Sequence, residues 1–170
     1  MNTPDVEGDV IGETVQVCLD GVMSVFQSRM RRMLDDAGIE KPDPQPTEWY
    51  PLDDFLAVLH TVEADTGENA LTKIGESTPR FADWAAGHDQ PAAALERLTD
   101  AYEDNHRGAP GNYGFEQTDE STARVVSTTP YPVAWEEGML KGTAELSGTA
   151  YARVRVDESA PDETVFDVDW

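Results

Sequence analysis

The sequence predicts an α+β fold, in which a helical N-terminal half is followed by a hairpin, a helix and a second hairpin that form a small antiparallel sheet. Two patterns predict this fold. Up to about residue 105, apolar residues recur every three or four positions, as they do on amphipathic helices. Beyond residue 112, short runs alternate apolar and polar residues between turn-forming sequences, as in half-buried strands.

The first helix is predicted from Gly12 onwards, because its apolar residues form one stripe that ends near the helix-terminating Gly38. The members of the stripe are Val15, Cys18, Leu19, Val22, Phe26, Met30, Met33 and Leu34. The run KPDPQP that follows contains three prolines and predicts an extended connector.

Three more helical segments are predicted after the connector. Pro51 suits the first position of the second helix. Short helices are expected at 69–75 and 79–85, because glycine and proline interrupt the apolar pattern. Pro91 begins the last segment, which reaches Asn105.

The second half contains the predicted sheet. Tyr113–Gln117 and Thr122–Thr129 are expected to form a hairpin with a four-residue loop. Val133–Leu146 is predicted as a helix, although two glycines weaken it. Thr149–Val156 and Thr164–Trp170 alternate in the manner of a second hairpin.

Length and composition indicate one domain, residues 10–170, after a polar lead of residues 1–9. Val10 and Ile11, just behind the lead, are apolar enough to dock on a core. The chain has 170 residues, 39% of them hydrophobic, and no apolar run long enough to span a membrane. Its acidic N-terminus does not resemble a secretory signal, so a cytoplasmic protein is expected.

Charge is the strongest compositional feature. Thirty-four acidic residues against twelve basic ones give a net charge of −22. This balance excludes a nucleic-acid-binding surface and insertion into anionic membranes. Dispersed acidic residues with few lysines resemble the proteins of salt-accumulating haloarchaea, in which molar salt screens self-repulsion. An acidic protein that needs no salt is the alternative.

No pattern specifies a catalytic nucleophile, a phosphate-binding loop or a metal site. The three histidines are far apart in sequence, and the lone Cys18 falls on the apolar stripe of the first helix. Most carboxylate pairs, Glu136-Glu137 among them, are expected to be solvated surface.

Three clusters nevertheless combine aromatic and polar side chains. They are Trp49-Tyr50-Pro51, Asn105-His106-Arg107-Gly108, and Tyr131-Pro132 with Trp135. Core packing is the alternative for the first and third clusters, and helix capping for the second.

These clusters, in this order, resemble the 4-vinyl-reductase-like domains, which share a superfamily with H-NOX sensors and TRAPP subunits. The matching positions are Trp49-Tyr50-Pro51, Ile74-Gly75, Tyr102, Asn105-His106-Arg107-Gly108, Tyr131-Pro132, Glu137-Gly138 and Val165-Phe166-Asp167-Val168-Asp169-Trp170. The resemblance implies a ligand-binding fold that often dimerises. The acidic composition, with few lysines, predicts that the chain comes from a haloarchaeon.

Departures from the family patterns argue against a cofactor. The cysteines that many 4-vinyl-reductase-like domains carry near two hairpins are absent, so no metal site is expected. H-NOX proteins hold haem through a histidine and a Tyr-x-Ser-x-Arg motif. This chain has Tyr151-Ala152-Arg153-Val154-Arg155, with arginine in place of serine. We therefore predict no cofactor.

The sequence thus predicts a non-catalytic, cytosolic small-molecule-binding or sensory domain that forms a homodimer through its first helix. In the implied fold, seven residues face one pocket for a small hydrophobic or flat anionic molecule: Trp49, His60, Tyr102, His106, Arg107, Tyr131 and Trp135. One alternative is an enzyme that acts on a small tetrapyrrole-like or lipid-like molecule. The other is a structural dimerisation subunit.

Overall fold

A computed structural model describes residues 5–39, 43–82, 84, 85 and 87–170 and confirms the α+β fold. In this part of the chain the helices are α1 (Gly12–Asp20), α2 (Ser24–Asp36), α3 (Leu52–Thr66), α4 (Glu68–Ala82), α5 (Pro91–Glu96), α6 (Leu98–Asn105) and α7 (Val133–Leu146). The strands are β1 (Asp9–Ile11), β2 (Trp49–Pro51), β3 (His106–Arg107), β4 (Tyr113–Asp119), β5 (Thr122–Ser127), β6 (Arg153–Asp157) and β7 (Thr164–Asp169). Residues 1–4 of the polar lead and part of the connector lie outside the described residues.

The larger sheet is antiparallel, with strand order β4-β5-β7-β6. Both predicted hairpins form, although β6 begins at Arg153 rather than at Thr149, and β5 joins the hairpins by pairing with β7. The predicted four-residue loop is too long, because β4 runs on to Asp119 through an irregularity and leaves only Glu120 and Ser121 between the strands. One face of the sheet packs into the core through Val125 and Phe166, both fully buried.

A second, smaller sheet has the order β2-β1-β3 and is not apparent from the sequence. Val10 of β1 is fully buried, so this strand docks on the core as its apolar residues suggest. β1 pairs with Trp49 of β2 on one side and with Arg107 of β3 on the other. The strand therefore brings together segments that are almost sixty residues apart in sequence.

The predicted single helix from Gly12 to Leu34 is wrong. α1 ends where Gly21 donates its backbone N–H to the Val17 carbonyl, and Met23 then adopts an extended backbone before α2. Gly21 lies beside α4, where a Cβ atom would be 3.4 Å from the Cα of Ile74, an ordinary contact distance, and 2.8 Å from the Val17 carbonyl oxygen. This tertiary contact has no signature in the local apolar periodicity.

Two other helix boundaries also differ from prediction. α3 begins at Leu52, and Pro51 belongs to β2. The short helices expected at 69–75 and 79–85 are mostly one helix, α4, which continues past Gly75 and contains Pro79. Trp84 lies beyond the end of α4, where its Nε1 donates a hydrogen bond of 3.2 Å to Thr143 Oγ1.

α4 and α7 form the closest helix pair, and glycines make their approach possible. Gly75 of α4 faces the Trp135 carbonyl, while Gly138 and Gly142 of α7 face the carbonyls of Thr72 and Glu76. A Cβ atom at any of these glycines would overlap the opposite backbone. The glycines that weaken α7 as an isolated helix therefore allow it to pack against α4.

Gly138→Ala is expected to lower the free energy of unfolding by about 3 kcal/mol, since overpacking against a backbone carbonyl forces the helices apart. Gly114→Ala is the matched control, because a Cβ atom there has its nearest neighbour at 4.0 Å. Urea denaturation measures both variants. Equal stability of the two would show that α4 and α7 can separate without cost.

The start of α2 exposes three large apolar side chains. Met23, Val25 and Phe26 are 67%, 71% and 52% exposed. Homodimerisation through the first helix remains a prediction, and an exposed apolar patch of this kind marks a site of binding without selecting the partner. Among the described residues, no helix is both long and apolar enough to cross a bilayer.

Dependence on salt is likewise still a prediction. With 34 acidic residues against 12 basic ones, we expect the fold to loosen as potassium chloride falls from molar to millimolar concentration. The fluorescence of the four tryptophans and the melting temperature report on this transition. A melting temperature that stays constant across the range would contradict the salt requirement.

Candidate ligand site

His106 stands where α6 ends and β3 begins. Its backbone is extended (φ −132°, ψ 154°), and it pairs with Val10 of β1. Tyr102 lies one helical turn earlier, and its ring stacks on the imidazole with the ring centroids 4.1 Å apart. The end of α6 and the pairing with β1 thus hold the imidazole against Tyr102.

Tyr131 and Trp135 bring two more rings to the same place. They lie four residues apart at the start of α7 and stack with their centroids 4.4 Å apart. Tyr131 also meets His106 edge-on at 5.6 Å and Tyr102 at 6.5 Å. Four of the seven residues predicted from the sequence therefore pack together, and we refer to Tyr102, His106, Tyr131 and Trp135 as the aromatic–histidine cluster.

The two ring nitrogens of His106 have different partners. Nδ1 lies 2.8 Å from the Tyr102 carbonyl oxygen, which can only accept, so Nδ1 carries the proton. Burial lowers the pKa of His106 to about 4, although the Tyr102 carbonyl opposes the shift. The ring is therefore neutral at pH 7, and its Nε2 accepts a hydrogen bond of 2.7 Å from the Tyr131 hydroxyl.

Glu136 forms a buried polar network beside the cluster. Its Oε1 accepts hydrogen bonds from the hydroxyls of Tyr113 (2.8 Å), Ser127 (2.6 Å) and Thr129 (2.6 Å). Burial raises the pKa of Glu136 to about 7, and the three hydroxyl donors oppose that shift. The network joins α7 to β4 and β5.

The sequence does not single out Glu136, because carboxylate pairs such as Glu136-Glu137 are expected to be solvated surface. The side chain of Glu136 is instead 1% exposed. Its position carried a usable signal: Glu136 is three residues before Met139 and four before Leu140, on the apolar face of α7. An acidic residue in register with a buried stripe is a candidate for a hydrogen-bonded core position.

A cavity of about 30 Å³ lies against the cluster and is lined by all four of its members. That volume holds about two or three water molecules. Thr14 and Trp135 also line it and are 4% and 3% exposed. Within the described part of the chain, Thr14 Oγ1 and Trp135 Nε1 are the buried side-chain atoms that lack a hydrogen-bond partner.

Trp49 and Arg107 contact each other rather than the cavity. The Arg107 guanidinium carbon lies 3.7 Å from the centroid of the Trp49 ring, a cation–π contact between β2 and β3 across β1. Arg107 is exposed, and neither residue lines the 30 Å³ cavity. The small sheet that pairs them is the feature that sequence reasoning lacked.

His60 does not line the cavity beside the aromatic–histidine cluster either. It is exposed on α3, with its Nδ1 3.8 Å from a Glu63 carboxylate oxygen. It lines an open cleft of about 500 Å³ together with Tyr131 and Glu137. Tyr131 thus borders both spaces, whereas His60 borders only the cleft.

Neither the cysteine nor a group of metal-binding side chains forms a further site among the described residues. Cys18 is fully buried, and burial raises the pKa of its thiol to about 12, which keeps it protonated. Among the described residues, no three histidine, cysteine or carboxylate side chains lie close enough together to hold a metal ion.

The sequence matches no protein-family model and no curated protein. Solved structures of similar fold include H-NOX proteins. The Fe(II) unliganded H-NOX protein from K. algicida has a TM-score of 0.69 at 14% identity, covering 94% of this chain and 95% of that chain. The S. oneidensis H-NOX protein in the Fe(II)NO state has a TM-score of 0.69 at 11% identity, covering 94% and 98%.

A third structure is an oxygen-binding H-NOX domain related to soluble guanylate cyclases. Its TM-score is 0.61 at 14% identity, with 92% of this chain and 89% of that chain covered. All three alignments extend over nearly the whole of both chains. The chain therefore has the fold of the H-NOX proteins.

Proposed function

We propose that this protein is a small-molecule-binding sensory domain whose ligand occupies the cavity beside the aromatic–histidine cluster. The observation that carries the proposal is that two residues lining this cavity, Thr14 and Trp135, have buried polar atoms. Thr14 Oγ1 and Trp135 Nε1 have no hydrogen-bond partner among the described residues. Each such group costs about 1–3 kcal/mol. A ligand atom that accepts from the Trp135 N–H recovers part of that cost.

The cavity favours a neutral ligand of a few heavy atoms. Its volume is about 30 Å³, and its walls are aromatic rings and a neutral imidazole, in which a charge would be poorly solvated. The flat anionic ligand expected from the sequence depended on Arg107 facing the same space. Arg107 lies over Trp49 instead, and no lysine or arginine side chain among the described residues lines this site to bind an anion.

Haem does not fit this arrangement. The H-NOX structures are described as Fe(II), NO-bound or oxygen-bound forms, and another describes haem distortion in the H-NOX family. Here the Nε2 of His106 accepts a hydrogen bond from the Tyr131 hydroxyl, so it is not free to bind iron. Tyr131 stacks on Trp135 and fills the space beside the imidazole. Tyr151 is 67% exposed and Arg155 pairs with Asp169, so the motif-like run is not at the cavity.

Tyr131 connects the proposed ligand cavity to the start of α7. It precedes Pro132, whose carbonyl accepts the backbone N–H groups that begin α7. A ligand that takes over the hydrogen bond of the Tyr131 hydroxyl would displace this residue and with it the N-terminus of α7. Because α7 packs on α4 through Gly75 and Gly138, such a shift would reach a second helix.

The enzyme alternative receives one supporting observation. A perturbed histidine and aromatic residues do line one cavity, as an acid–base site would require. However, about 30 Å³ cannot admit a tetrapyrrole or a lipid, since ligand pockets typically measure about 300–1,000 Å³. We therefore favour binding over catalysis.

Formamide, which is neutral and carries both an acceptor and a donor, tests the site. In protein labelled with ¹³C in its methionine methyl groups, formamide should shift the Met139 resonance saturably, because Met139 lines the cavity. Met23, Met30 and Met33 line a different cavity and should not shift.

Trp135→Phe keeps an aromatic ring, although a smaller one, and removes the indole N–H, so the apparent affinity should fall about fivefold, as expected for a hydrogen bond of about 1 kcal/mol. Trp170→Phe is the control and should leave the affinity unchanged. A Met139 shift that grows linearly with formamide, or that survives Trp135→Phe at full affinity, would refute the proposed site.

The finer expectations also belong to this proposal. A single ligand-binding domain at residues 10–170, a cytoplasmic location, a 4-vinyl-reductase-like relationship and haloarchaeal origin remain predictions from the sequence. The fold of the H-NOX proteins supports a sensory role without selecting among them.

A further inference from the structure

A separate cavity of about 280 Å³ lies between the start of α2 and the helices α3 and α4. This volume is close to the lower end of the range for ligand pockets, about 300–1,000 Å³. Its walls are mainly apolar, with Phe26, Val62 and Ile74 among them. Met23, Met30 and Met33 also line it, and methionine side chains adapt their shape to different apolar ligands.

The charge on this cavity is opposite to that of the chain. Arg29 and Lys73 line it, and no aspartate or glutamate is among the described residues that do so. The whole chain has 34 acidic residues against 12 basic ones. A lining with two basic side chains and no acidic one therefore departs from the general pattern of this surface, although each of the two contacts an acidic residue outside the lining.

Both cations are able to bind an additional anion. Lys73 Nζ lies 2.8 Å from Glu76 Oε2, but the other oxygen of Glu76 is held at 2.8 Å by Lys141. Lys73 can leave Glu76 without leaving that carboxylate unpaired. Arg29 uses one nitrogen in a 3.1 Å contact with the exposed Asp65, and its guanidinium has further donors.

We propose that this cavity binds a free medium-chain fatty carboxylate, with its tail among the methionines and its head group between Arg29 and Lys73. The inference is independent of the proposed function, because none of these residues lines the cavity of the aromatic–histidine cluster. It adds a second, chemically different ligand to the domain.

Charge favours this occupant over a second copy of the chain. In a two-fold symmetric dimer the same patch lies on both protomers. A dimer centred on this cavity would place Arg29 and Lys73 of one protomer near the same cations of its partner. A carboxylate neutralises them instead. An anionic lipid surface is also disfavoured, because the remainder of the chain is strongly negative.

Sodium decanoate is the probe, applied below its micelle concentration and at the lowest potassium chloride concentration that keeps the protein folded. The methyl resonances of Met23, Met30 and Met33 should shift saturably, while that of Met139 should not. Acetate, which lacks the tail, should have no effect. Failure of this test with a saturable formamide response at Met139 would overturn this proposal alone.

Arg29→Gln and Lys73→Gln should each weaken decanoate binding by about fivefold, the value of an exposed ion pair. Arg32→Gln is the matched control, because Arg32 lies on the same helix but does not line the cavity. Ala70→Phe should abolish binding by filling the space. Decanoate affinity unchanged in the Arg29 and Lys73 variants, a dimer that decanoate does not displace, or binding only to phosphatidylglycerol vesicles would each overturn the proposal.

Discussion

Glu136→Leu is expected to lower the free energy of unfolding by about 3–5 kcal/mol, because three hydroxyl groups lose the acceptor that they share. Tyr113, Ser127 and Thr129 all donate to Glu136 Oε1, and Glu136 is almost fully buried. Leucine has a similar volume, so the loss reports the hydrogen bonds rather than a cavity. Urea denaturation at constant salt measures it.

Glu136→Gln is the matched control, because its amide oxygen keeps an acceptor for the same hydroxyls. We expect it to cost less than about 1.5 kcal/mol. If the leucine variant proves as stable as the glutamine variant, the network contributes nothing to folding. The link from α7 to β4 and β5 would then depend on apolar packing alone.

The second large effect is a pair of opposite pH dependences that cancel in the wild type. The pKa of His106 falls to about 4 on folding, so its contribution to stability is lost as pH decreases from about 6.5 to 4. The pKa of Glu136 rises to about 7, so its contribution is lost as pH increases from about 4.5 to 7. Each spans about 3 kcal/mol.

Removing one of these two titrating groups should reveal the pH dependence of stability that the other produces. In Glu136→Gln the histidine remains, and stability relative to the wild type should increase with pH between about 4.5 and 7. In His106→Phe the glutamate remains, and relative stability should decrease over the same range. Melting temperatures at fixed salt, each taken as a difference from the wild type, measure both. Two variants that track the wild type at every pH would contradict the burial of these groups.

The second half of the fold could be predicted because its signals are local. α7 has the predicted bounds, Val133–Leu146, and both hairpins form where apolar and polar residues alternate. The errors in the first half arise from contacts between distant segments. α1 ends just before Gly21, which lies beside α4. α4 continues through Gly75, which lies against α7. Neither effect is encoded in the spacing of neighbouring apolar residues.

The same distinction explains the candidate site. Tyr102 with His106, and Tyr131 with Trp135, are four residues apart on or beside helices, so their spacing in sequence indicates that each pair meets. The predicted placement of three other residues, Trp49, Arg107 and His60, at the pocket depended on how the helices are arranged. The unpredicted sheet β2-β1-β3 pairs Trp49 with Arg107 instead. Glu136 was hidden by composition, because one acid is hard to single out among 34.

His106 is a neutral imidazole held through both ring nitrogens beside the proposed ligand cavity. A ¹⁵N spectrum of the histidine side chains, recorded from pH 8 to pH 4, reports the protonation of each nitrogen. We expect His106 to show a protonated Nδ1 and an unprotonated Nε2 at pH 7, without titration until pH approaches 4. Tyr131→Phe should change the Nε2 resonance. Titration of His106 near pH 6.5, the usual value, or a proton on Nε2 at pH 7 would show that the imidazole is not held in this way.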